Sequence, residues 1–169
     1  MRKLPQMAVL LLAVAVVVGL AATWRSLSER RPAPAADYVL LDGRTADLES
    51  LKGRVVLLNF WATSCPTCIK EMPSLVAVHE KYRSRGYETL AVAMSYDPPA
   101  YVVNFVESRK LPFLVAIDTS GEMALRFGNV QLTPTTFLID KRGRIVKRYV
   151  GEPDFAALNA LIEALLAEK

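Results

Sequence analysis

Residues 54 to 61 contain the run Val55-Val56-Leu57-Leu58-Asn59-Phe60-Trp61, apolar at every position but one. A strand with apolar side chains pointing both ways must be covered on both faces, a property of parallel sheets flanked by helices rather than of half-wetted antiparallel ones. This segment is therefore expected to be the central strand, and the chain must supply a covering layer on each side of it.

The following residues supply those layers. A helix is expected from about Pro66 to Tyr82 or Arg83, with Ile69, Met72, Leu75, Val76, His79 and Tyr82 in one stripe at the helical period. Tyr87 to Ser95 reads as a strand, followed by a helix that Asp97 caps, Pro98 opens and Tyr101 to Lys110 carry. Phe113 to Ile117 is a strand, and Thr119 to Phe127 a short helix closed by Gly128. Thr135 to Asp140 and Ile145 to Val150 form strands around the turn Lys141-Arg142-Gly143, and a final helix spans about Pro153 to Glu168. Ahead of the central strand, Tyr38 to Leu41 and Ala46 to Leu48 make a small hairpin around Asp42-Gly43. Alternating strands and helices closed by an antiparallel pair give an α/β class with a mixed sheet flanked by helices.

The N-terminus has a different character. Leu4 to Trp24 is 21 residues without a charge, about 31 Å as a helix and so long enough to cross a bilayer. Residues 1–25 are read as a signal-anchor or transmembrane helix, residues 26–36 as an extended tether with the prolines Pro32 and Pro34, and residues 37–169 as the folded domain. Cleavage after the small residues Gly19 or Ala21 is the alternative fate of the first segment. The formal charge of +4 comes from this region: residues 1 to 36 hold five basic side chains against one acidic, leaving 16 of each sign in residues 37 to 169. A balanced domain has no basic stripe, which excludes a nucleic-acid reader. Lys141, Arg142, Arg144, Lys147 and Arg148 are expected to form a solvated hairpin edge that discourages strand addition.

Cys65-Pro66-Thr67-Cys68, the only two cysteines, sit between the buried strand and the amphipathic helix. Spacing of i, i+3 on a helical turn brings two sulfurs within disulfide reach, and the first faces unpaired N–H groups and the positive end of the helix dipole. That field lowers a thiol pKa, making Cys65 the expected nucleophile and the deeper Cys68 the resolving thiol. A purely structural disulfide closing so short a loop stabilises little. A zinc site lacks ligands, because only one histidine, His79, accompanies the pair and it falls within the apolar stripe. No metal is expected, and no cofactor beyond the Cys65-Cys68 disulfide itself.

The run from Asn59 through Cys65-Pro66-Thr67-Cys68 to Ile69-Lys70-Glu71-Met72-Pro73, followed by Leu132-Thr133-Pro134-Thr135-Thr136-Phe137-Leu138-Ile139-Asp140, closely resembles the TlpA/ResA-like branch of the thioredoxin superfamily. The resemblance covers about residues 37 to 167. It implies a thioredoxin-like fold with added N-terminal strands, an extracytoplasmic location, and reduction of disulfides in client proteins, apocytochromes c among them. It further implies recharging by a membrane electron donor of the DsbD or CcdA kind. Pro134 matches the family's cis-proline and leaves the Thr133 backbone to pair with a client; Pro66 and Thr67 lie between the sulfurs. Pro73 matches a proline that kinks the first helix. Glu71 matches an acidic proton handler, a role suited to its place one turn beyond Cys68, since thioredoxin's buried Asp is replaced here by Asn59; a surface glutamate is the plainer reading. Trp61 is expected beside the active turn, lining the client groove or packing in the core. Ser64 departs from the family, which often has a second Trp there.

The same pair run in reverse makes a dithiol oxidase. A peroxiredoxin-like peroxidase shares the fold but expects proline where Asn59 stands, and a copper carrier needs wider cysteine spacing and a histidine.

Overall fold

A computed structural model describes residues 30–168. In chain order the elements are β1 (Arg31–Pro32), β2 (Asp37–Val39), β3 (Thr45–Asp47), β4 (Val55–Trp61), α1 (Pro66–Tyr82), β5 (Tyr87–Ala93), α2 (Pro99–Arg109), β6 (Leu114–Ile117), α3 (Glu122–Arg126), β7 (Thr135–Ile139), β8 (Arg144–Val150) and α4 (Phe155–Ala167). Six strands form one sheet in the order β1-β8-β7-β4-β5-β6, and β2 pairs with β3 in a separate two-stranded sheet. β4, β5 and β6 run parallel, whereas β7 is antiparallel to both β4 and β8. This is the mixed-sheet thioredoxin-like α/β architecture expected from the sequence.

All seven residues of β4 are buried, and the two-residue pleat sorts them onto two cores. Val55, Leu57 and Trp61 pack with Met72 and Leu75 of α1, Val102 of α2, and Leu158 and Ile162 of α4. Val56, Leu58 and Phe60 pack with Phe127, Phe137 and the N-terminal Tyr38 and Leu40. Asn59 belongs by alternation to the first face, pointing at α1.

Several local expectations are corrected. Residues 31–36 are extended but not a free tether: Arg31 and Pro32 pair with Ile145 and Arg144 of β8, the Ala33 N–H reaches the Gly143 carbonyl at 2.8 Å, and Ala36 is buried. A proline is tolerated in β1 because it lies at the sheet edge. β8 is consequently covered at its start rather than left as an open basic edge. There Arg144 pairs with Asp140, and the Lys141 ammonium binds the carbonyls of Leu166 and Glu168, each at 2.7 Å. α3 is shorter than expected, and the Asp118 carboxylate accepts from the N–H groups of Met123 and Ala124 at its start. Asp97 does not cap α2, whose N-cap is Pro98 with no side-chain bond. The expected proline of the first helix is no such correction: Pro73 lies inside α1 on its exposed side, and α1 runs on to Tyr82. Among the described residues no helix is long and apolar enough to cross a membrane; the expected span at residues 4–24 and the first part of the tether lie outside them.

Candidate active site

One end of the sheet collects the chemistry. Parallel pairing of β4 with β5, and antiparallel pairing of β4 with β7, bring the segment after Trp61, the connection after Ala93 and the turn before Thr135 to the same pole. Cys65 is the N-cap of α1, with extended backbone, and Pro66 occupies the first turn, where a missing N–H costs nothing. Cys65 and Cys68 are joined, with Cα atoms 5.3 Å apart. The Cys65 sulfur also accepts the Cys68 N–H at 3.2 Å, so it stands where a helix N-terminus stabilises negative charge. The two sulfurs differ in access. Cys68 has no exposed surface, Cys65 is half-buried, and Pro66 and Thr67 between them are exposed.

One turn beyond Cys68, Glu71 is fully buried, which removes the reading of a surface glutamate. The Asn59 amide donates to Glu71 Oε1 at 3.0 Å and to Thr136 Oγ1 at 2.9 Å, tying α1, β4 and β7 together beneath the sulfurs. Glu71 Oε2 and Asn59 Oδ1 have no hydrogen-bond partner. Burial pushes the Glu71 carboxyl up to about 7, assisted by the charge of Glu152 and opposed by the Asn59 bond. A carboxyl poised there exchanges protons near neutrality. In the sequence Asn59 stands out as the replacement for thioredoxin's buried Asp, but its direct bond to Glu71 is not legible there. The signal was a lone polar residue in a doubly buried strand, which must find a partner.

The other expected residues divide. Thr133-Pro134 is a cis peptide, with Thr133 half-exposed and Pro134 buried, and the Tyr96 hydroxyl lies 3.4 Å from Thr133 Oγ1. Trp61 has no exposed surface and packs against Phe105 at 5.3 Å between ring centroids. Its place in a client groove is therefore corrected to one behind the active turn. His79 is buried beside Phe113 and Tyr87, with its Nδ1 3.7 Å from Glu88, and burial lowers its pKa. No group of three or more potential metal ligands occurs among the described residues.

Comparison with known proteins agrees with this geometry. The redoxin family model matches residues 29–162. The thiol-disulfide oxidoreductase ResA of Bacillus thuringiensis is 42% identical over 112 residues, covering 66% of this chain and 64% of that protein, so the match spans just under two thirds of that relative's length. The Bacillus subtilis ResA is 38% identical over 128 residues, covering 75% of this chain and 69% of that one. A thioredoxin-like protein of Neisseria meningitidis superposes with a TM-score of 0.75 at 39% identity, covering 81% of this chain and 91% of that one. The chain belongs to the redoxin family, among its ResA-like members.

Proposed function

We propose that this chain is a thiol-disulfide oxidoreductase that reduces disulfides in client proteins outside the cytoplasm. The observation that carries the reading is the Cys65-Cys68 disulfide at the start of α1, half-buried at one sulfur and sealed at the other. In the reduced protein the accessible Cys65 thiolate attacks a client disulfide. The Cys65–client bond forms, the client S–S bond breaks, and the departing client thiolate takes a proton from solvent. Cys68 then gives its proton to Glu71 and attacks the Cys65 sulfur. The intramolecular disulfide forms, the second client thiolate leaves, and Glu71 returns the proton. Two electrons have passed from the protein to the client. The exposed Pro66 and Thr67 and the half-exposed Thr133 form the client-facing surface, Pro134 shapes that turn from within, and the Thr133 backbone pairs with an extended client segment.

The oxidised protein needs a two-electron donor, and a membrane conduit of the DsbD or CcdA kind fits the family. Clients include apocytochromes c, whose paired thiols must be free before haem attachment. The uncharged segment at residues 4–24 anchors the chain in the cytoplasmic membrane with the domain outside, where a dedicated reductase is needed. The reaction needs no cofactor beyond the two sulfurs. Cys68→Ser should accumulate mixed disulfides through Cys65, identified by mass spectrometry of the trapped partners. Failure to trap any client, with Cys65 free throughout, contradicts the assignment of Cys65 as attacker. A wild-type disulfide that instead oxidises client dithiols against a glutathione buffer reverses the direction.

A further inference from the structure

Two adjacent side chains on the β5–α2 connection reach opposite walls of the redox pole. Asp97 is only 2% exposed, and both its oxygens go to one residue: Oδ2 accepts the Thr63 N–H at 2.6 Å, and Oδ1 accepts the Thr63 hydroxyl at 2.5 Å. Tyr96 places its hydroxyl 3.4 Å from Thr133 Oγ1. Thr63 lies within the turn that the Cys65 N–H closes on the Ala62 carbonyl at 3.1 Å. The same turn leads Cys65 into α1, where its sulfur accepts the Cys68 N–H.

A buried carboxylate must fill its acceptors. The next two residues, Pro98 and Pro99, carry no N–H to fill them, and α2 receives no side-chain cap. The acceptors are directed instead across the pole to a residue two positions before the half-buried sulfur. Thiolate attack requires the sulfur in line with the client S–S bond, and small misplacements of a reacting atom are expensive.

We infer that Asp97 is a positioning residue for Cys65: by holding both polar groups of Thr63 it fixes the turn that delivers the sulfur, and Tyr96 carries the same brace across to Thr133. The inference rests on Cys65 being the attacking sulfur. Asp97 and Thr63 neither form nor break a covalent bond in the exchange.

The test uses the intact reduced protein and oxidised glutathione, with exchange rates measured well below each variant's unfolding midpoint. Thr63→Val keeps the shape and the N–H but loses the hydroxyl, and is expected to slow exchange about fivefold, whereas Thr63→Ser keeps both donors and stays within about twofold of wild type. Asp97→Ala is expected to cost about 20-fold, and adding Thr63→Val to it should cost little more, because one interaction cannot be lost twice. Equal rates for the Val and Ser variants, or simply additive losses with Asp97→Ala, overturn the brace. If Asp97→Ala does not fold, the Thr63 pair decides alone. A wild-type protein that exchanges normally while every variant matches it contradicts the brace only. A wild-type protein that does not exchange contradicts the proposed function, and the brace falls with it.

Discussion

Glu71 and Asp140 are both buried carboxyl groups on the same sheet scaffold, and they are provided for very differently. Asp140 lies at the end of β7 remote from the sulfurs. It accepts from the N–H groups of Arg142 and Arg144 at 2.9 and 3.0 Å and from the Arg144 guanidinium at 2.9 Å. Glu71, beneath the sulfurs, accepts one amide and leaves its second oxygen without a partner. The first carboxylate is saturated with donors and organises a turn. The second is underprovided, so burial dominates and its proton affinity rises into the neutral range. A fold tolerates such a group where its instability is useful, and here it lies one helical turn from the resolving cysteine.

The sharpest way to break the contrast is Glu71→Gln, which keeps the shape and removes the titration. Exchange with a protein disulfide at pH 7.5 should fall about 10- to 100-fold, and the wild-type rise of rate through about pH 7 should be absent. Stability should move the opposite way. The folded carboxyl titrates near 7 against an ordinary value of 4.5, so the native state binds more protons than the unfolded one across that window. The cost of burying the charge is absent below about 4.5 and complete above about 7, reaching on the order of 3 kcal/mol. Wild type should therefore lose stability relative to Glu71→Gln as pH rises through this window, which denaturant midpoints measured from pH 4 to pH 8 will show. A flat difference contradicts the raised affinity.

Asp140→Ala should do the reverse, costing about 3 kcal/mol by chemical denaturation because it strips acceptors from the 141–143 turn and leaves Arg144 unpaired there, with exchange per folded molecule unchanged. A slowed exchange in that variant would join the two poles functionally and weaken the contrast. The smallest effect belongs to Lys70→Ala: its exposed pair with Glu152, at 2.7 Å, is screened by solvent, so the denaturant midpoint should stay at the wild-type value.

Much of this was legible in the sequence where periodicity and chemistry are local. The run from Val55 to Trp61 announced a doubly covered strand, and Cys65-Pro66-Thr67-Cys68 at the head of an amphipathic stripe announced the redox turn. What was hidden depends on groups far apart in the chain. Arg31 and Pro32 look like a free tether because backbone pairing at a sheet edge needs no side-chain pattern. Asp97 before two prolines resembles a helix cap, but Thr63, 34 residues earlier, offers two donors and wins. Trp61 was ambiguous between groove and core because its sequence position fixes only its nearness to the sulfurs, while Phe105 on another element decides which side it faces.

The most direct measurement equilibrates the protein across a glutathione series, quenches with an alkylating agent and counts labelled thiols by mass. The expected result is a passage from no labels to two, at Cys65 and Cys68 together, with a single midpoint. A label count that stays constant from the most oxidising to the most reducing buffer means that the two sulfurs do not cycle, and thiol-disulfide exchange at this turn is then ruled out.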